Sequence, residues 1–184
     1  MKNSIKIILC LLFISQTSFS QINGAISTTF GIVNPKLRIQ YEKPINYRST
    51  FGANINYYFV NWKGPKIDLF ARLYSKKDGN EEGNFLQAKL GYGNLSTLDF
   101  NQDYMLNSRW STFGIGLAGG KKFVLGDNFI IESLFGFHIY SSPSIDYISG
   151  YDELDYAIEL GEDIGWFVTT GFPVDFQLKF GYQF

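Results

Sequence analysis

Val174-Asp175-Phe176-Gln177-Leu178-Lys179-Phe180-Gly181-Tyr182-Gln183-Phe184 alternates apolar and polar residues from end to end. An extended strand turns successive side chains to opposite faces, so this stretch reads as a strand with one oily side and one polar side. Phe176, Leu178, Phe180, Tyr182 and Phe184 form the first side, and Asp175, Gln177 and Lys179 belong to the second. A strand of this kind needs sheet neighbours, and the rest of the chain offers them.

The same period of two recurs in seven earlier segments, which makes eight strands in all. They are 22–33, 36–43, 49–60, 66–75, 84–95, 109–124 and 129–141. The third is the clearest, with Phe51, Ala53, Ile55, Tyr57 and Phe59 set against Gly52, Asn54, Asn56 and Tyr58. Asn34-Pro35, residues 44–48, Trp62 to Pro65 and Gly126-Asp127-Asn128 read as turns, and 76–83, 96–108 and 142–173 as loops. Strands of about ten residues are long enough to cross a bilayer at a tilt.

The N-terminal end points the same way. Lys2 and Lys6 precede the apolar run Ile7 to Ile14, and Ser18-Phe19-Ser20 has small residues where a signal peptidase cuts. Residues 1–20 therefore read as a cleaved signal peptide and 21–184 as one domain. The run is too short for a spanning helix, which takes about 20 residues. Cys10 follows Leu9, where a lipoprotein site wants a small residue, and it is the only cysteine. Without the leader the chain holds 14 basic and 17 acidic residues, a balance that argues against a nucleic-acid partner. It also has no thiol for a disulfide or a metal.

The terminal pattern Phe176, Leu178, Phe180, Tyr182, Phe184 resembles the β-signal by which Gram-negative outer-membrane barrels are recognised by their insertion machinery. The whole mature chain resembles the small eight-stranded OmpA- and OmpX-like barrels. Within them it is most similar to an uncharacterised subgroup, on Asn34 to Glu42 and on Gly114 to Phe137 around Leu125-Gly126-Asp127-Asn128. That resemblance implies an all-β, eight-stranded antiparallel transmembrane barrel in the outer membrane. It implies no activity, because the fold carries adhesins, anchors and enzymes alike. An even strand number puts both termini on one side, the periplasm by this reading. Trp62, Trp110 and Trp166 then fall at or beyond the outer ends, as an interfacial belt would.

Chemistry is sparse. His138 is the only histidine, with Ser141, Ser142 and Glu153 nearby in sequence, and a lipid-modifying hydrolase would use such a set. Tyr140 stands where a His-x-Ser pattern needs serine, and His138 falls on the inward face, so a structural histidine is the plainer reading. The loop 142–173 carries seven acids and no lysine or arginine, without the spacing of a calcium loop. Gly114, Gly116, Ala118 and Gly120 lack the strand-to-helix setting of a phosphate cradle and read as space for Arg, Tyr and Phe side chains from the opposite wall of the lumen.

Parity assigns Arg38, Glu42, Asp68, Arg72, Lys89, Glu132, His138, Asp175 and Lys179 to the interior, four cations against four carboxylates beside the histidine. The expectation is a monomeric barrel with a plugged lumen, neither enzyme nor cofactor carrier. Its partners would be outer-membrane lipid, lipopolysaccharide and the insertion machinery, with a structural or adhesive role in the outer loops. A hydrolase centred on His138 and a soluble, lipocalin-like periplasmic barrel are the alternatives.

Overall fold

The computed structural model describes residues 24–30, 36–60, 62–75, 82–97, 105–107, 109–142, 146–147, 164, 166–167 and 171–184. Their strands are β1 (Ala25–Phe30), β2 (Lys36–Pro44), β3 (Ser49–Val60), β4 (Trp62–Tyr74), β5 (Gly83–Thr97), β6 (Met105–Asn107), β7 (Arg109–Leu125), β8 (Phe129–Tyr140), β9 (Asp146–Tyr147) and β10 (Val174–Gln183). Eight of them close into a barrel in the order β1-β10-β8-β7-β5-β4-β3-β2, every neighbouring pair antiparallel. The seam lies between β1 and β10, where Ala25 pairs with Gln183 and Thr28 with Phe180. Gly24 and Phe184 extend it with two reciprocal backbone hydrogen bonds of 3.0 and 2.9 Å. Closure leaves no unpaired sheet edge.

Two expectations change. Trp62 to Pro65 are not a turn: β4 begins at Trp62, which pairs with Val60 across the single residue 61. Pro65 is accommodated opposite Tyr57 although it has no N–H to donate. The connections after β5 and after β8 also contribute a ladder of their own, β6 against β9, separate from the barrel sheet. The run Asp152 to Leu160, whose composition allows one or two helical turns, lies outside the described residues.

Turns are short at one end. In 45–48, Asn46 Oδ1 accepts from the backbone N–H groups of Arg48 and Ser49 at 3.0 and 2.9 Å. In 126–128, Gly126 adopts φ 63°, which suits glycine in a tight hairpin. Asn128 Nδ2 donates to Gln183 O at 2.6 Å, tying that turn to the end of β10. The ends of β5 and β8, from which the two long connections leave, lie at the opposite end.

The alternation is inside out compared with a barrel that lives in water. β4 alternates buried and exposed over all 13 residues. The buried side carries Lys66, Asp68, Phe70, Arg72 and Tyr74, and the exposed side Ile67, Leu69 and Leu73. Outward residues include Leu117, Ile139 and Phe176, each about 70% or more exposed, whereas inward Arg72 is 2% exposed. A lipocalin-like barrel, with its apolar face inward, is not the arrangement found.

Candidate functional site

The chemistry of this chain is concentrated inside the barrel, in three tiers. The lowest, beside the short turns, centres on Arg72. Its Nη1 and Nη2 donate to Glu132 Oε2 and Oε1 at 2.8 and 2.7 Å, a two-pronged pair. Nη1 also donates to Glu42 Oε2 at 2.7 Å, and Nε donates to Gln87 Oε1 at 2.8 Å. The guanidinium lies 4.7 Å from the Phe70 ring centre and 4.3 Å from that of Phe85. Lys179 Nζ reaches Glu132 Oε1 at 2.5 Å and Gln40 Oε1 at 2.8 Å. Glu42 further accepts from Tyr74 at 2.8 Å and Thr50 at 2.5 Å, with Lys122 Nζ at 3.5 Å.

The middle tier joins Asp68 and Asp175 to their partners. Lys89 Nζ donates to Asp175 Oδ2 at 2.6 Å, as does Gln177 Nε2 at 2.6 Å. His138 Nδ1 stands 3.7 Å from the same oxygen and 3.5 Å from Lys89 Nζ. Asp68 accepts from Tyr140 at 2.6 Å and from Asn56 at 2.9 Å. Asn56 in turn accepts from Arg38 Nε at 2.5 Å. Lys66 Nζ lies 3.6 Å from Asp68 and 3.7 Å from the Tyr140 ring centre.

Glycines make this tier possible. Asp68, Gly91, Gly114 and Tyr140 stand in one row across β4, β5, β7 and β8. The Tyr140 ring lies flat over both glycines to reach Asp68, and a Cβ on Gly114 would meet that ring at 2.1 Å. One step down, a Cβ on Gly116 would meet Lys89 Cε at 2.7 Å and His138 Cβ at 2.9 Å. The glycine string therefore clears space for side chains of its own neighbouring strands, not for those of the far wall.

The third tier is aromatic. Trp62, Trp110 and Trp166 meet edge to face in all three pairs, with centres 5.6, 5.7 and 4.7 Å apart. They pack with Tyr58, Leu95 and Tyr140 and are 2–4% exposed. Trp166 comes from the connection between β8 and β10, and Gly171 N–H donates to its backbone carbonyl at 2.7 Å. This overturns the interfacial belt. Trp62 and Trp110 have the same parity as Lys66 and Thr112, so they point inward once their strands are seen to reach them.

Every one of Arg38, Glu42, Asp68, Arg72, Lys89, Glu132, His138, Asp175 and Lys179 is buried within the barrel. The expected balance of four against four needs correcting, because Lys66 and Lys122 are buried there as well. Among the described residues six buried cations face four buried carboxylates, with half-buried Lys36 a further cation 5.1 Å from the Tyr58 ring centre, so acids are shared: Glu42 between Arg72 and Lys122, Glu132 between Arg72 and Lys179. Both lysines had the inward parity and sat at strand positions that sequence reasoning had left near turns. Among their polar neighbours on the inward face, Asn56, Tyr74 and Tyr140 bond to the charges. Asn54 Oδ1 and the Tyr58 hydroxyl have no hydrogen-bond partner among the described residues.

A serine hydrolase arrangement does not assemble around His138 within the described residues. Ser141 is exposed, and its hydroxyl is engaged with Thr112 Oγ1 and the Phe113 N–H at 3.2 and 3.1 Å. Glu153 and nearly all of the acidic loop lie outside the described residues. Those residues contain no cluster of metal-binding side chains. Phe176, Leu178, Phe180 and Tyr182 all face outward on β10, and Phe184 closes the seam.

No family model matches the chain, and no curated protein sequence matches it. Among solved structures it is similar to the N-terminal β-barrel domain of OprF from Pseudomonas aeruginosa, with a TM-score of 0.53 and 11% identity. The likeness covers 89% of this chain and 96% of that one. At that identity it speaks for the fold alone, a closed eight-stranded antiparallel barrel.

Proposed function

We propose that this chain is a small outer-membrane barrel with both termini in the periplasm, a cleaved leader at 1–20 and a lumen plugged by its own side chains. One observation carries the reading: charge is gathered inside the wall while Leu, Ile and Phe cover the outside. In water that surface would be a large exposed apolar patch, whereas in a bilayer it matches the solvent. Outward on β4, uncharged residues run from Pro65 to Leu73. At about 3.3 Å per residue and a tilt of about 40° they form a band roughly 20 Å tall, near the apolar height of outer-membrane barrels.

The role is non-enzymatic and is exercised through the long connections at the tryptophan end. The C-terminal strand is the part the insertion machinery reads, and the monomer is surrounded by outer-membrane lipid and lipopolysaccharide. The engagement of His138 with Asp175 and Lys89, inside the barrel, favours this over the hydrolase. Fractionation of a Gram-negative host is the test. The protein should sediment with outer membranes, resist carbonate extraction and run faster on gels when unheated. Recovery as a soluble periplasmic protein would overturn the reading.

A further inference from the structure

The outside of the barrel has a notch near its tryptophan end. β4 and β5 pair Lys63 with Ser96 and Lys66 with Gly93, and Gly64 and Pro65 lie between those two pairs. Pro65 brings no N–H to the ladder. Gly64, at φ 144°, approaches so closely that an added Cβ would lie 2.3 Å from the Asn94 carbonyl oxygen. The result is a cleft of about 310 Å³ lined by Tyr57, Lys63, Pro65, Asn94, Ser96 and Arg109.

Two cations flank the cleft. Ser96 pairs with Lys63 on one side and with Arg109 on the other, so all three stand in one row across β4, β5 and β7. Two strand spacings put the Lys63 and Arg109 backbones about 10 Å apart, within reach of one anionic group held between their side chains. Both are exposed on the outer wall. The next outward row holds Tyr57, Pro65, Asn94 and Ser111, and below it the wall turns apolar, with Ile55, Ile67, Tyr92 and Phe113 facing out. Tyr92 and Phe113 stack at 4.8 Å, and the Tyr92 hydroxyl meets Ser111 Oγ at 3.1 Å.

We propose that the cleft binds the phosphate of a lipid headgroup, clasped by Lys63 and Arg109, with the acyl chains of that lipid lying on the apolar wall below. The inference rests on the outer-membrane reading. What selects a lipid phosphate is position: the cleft sits where an apolar wall meets a cationic row, and there a bilayer presents its anionic headgroups. Arginine suits phosphate through its fork of donors, and lysine adds a point charge.

Native mass spectrometry of the folded barrel tests it, with diphosphorylated lipid A and the same lipid stripped of both phosphates as probes. The wild type should retain the phosphorylated form at least tenfold better. Lys63→Gln with Arg109→Gln should bring the two lipids level, whereas Lys43→Gln with Lys121→Gln at the opposite end should keep the preference. Equal retention of both lipids by the wild type, or a preference that survives in the first double variant, overturns the proposal. Displacement of the lipid by millimolar inorganic phosphate would also overturn it, by making this a site for free anions. Failure of the wild type to enter lipid vesicles and shift on unheated gels would instead sink the outer-membrane reading beneath it.

Discussion

Arg72 shows how one residue holds several strands. From β4 it bonds to Glu42 on β2, Gln87 on β5 and Glu132 on β8, lying close to two aromatic rings. Arg72→Leu leaves two carboxylates buried without their main partner, and breaking such a pair costs about 3–5 kcal/mol. The temperature at which the fast-migrating band converts to the unfolded one should fall sharply. Asp127→Asn, in an exposed turn, should leave it unchanged. Adding Glu132→Gln to Arg72→Leu should recover part of the loss, because it removes one of the stranded charges. No recovery would mean that packing, not charge, is what Arg72 supplies.

Gly114 makes the same point by its emptiness. A methyl group there collides with the Tyr140 ring, so Gly114→Ala should destabilise by about 1–3 kcal/mol. Gly126→Ala meets nothing within 4 Å and is strained only by its φ of 63°, so it should cost less. Unfolding midpoints of the two variants in urea check the order, and a milder effect at Gly114 would dissolve the steric account of the glycine row.

At the scale of elements, the tryptophans are the sharpest case. All three lie in the cluster at one end of the barrel, so the whole tryptophan emission of the protein reports on it. In vesicles that emission should resist quenching by lipids with spin labels along their chains. A belt facing the lipid would be quenched strongly, and that outcome would remove the inward cluster. The cluster was hard to read in the sequence for a local reason. Gly64-Pro65 looks like a turn, and reading it as one cuts β4 off before Trp62. Trp166 arrives from a connection with no strand period, so parity says nothing about it. Where alternation was unbroken, as in β2, β4 beyond Pro65 and β10, period two alone told inside from outside, and Arg38, Asp68, Arg72 and Asp175 are buried in keeping with it. The pairing among those charges was not legible, because parity gives a face and not a partner. Lys66 stands at the first residue of the expected fourth strand, whereas β4 runs from Trp62 and holds it well inside the alternation; Lys122 lies near the end of the expected sixth.

Among the described residues the barrel holds charges in two tiers, aromatic rings above them and hydrocarbon-compatible side chains outside, and the proposed function takes that interior to be plugged. Eight strands give a bore that side chains alone can fill. The most direct measurement is electrical. Purified protein is inserted into planar lipid bilayers, with insertion verified by the gel shift of the unheated sample, and current is recorded under voltage. The account predicts a silent membrane. Stable, open conductance steps from the inserted wild type would contradict it.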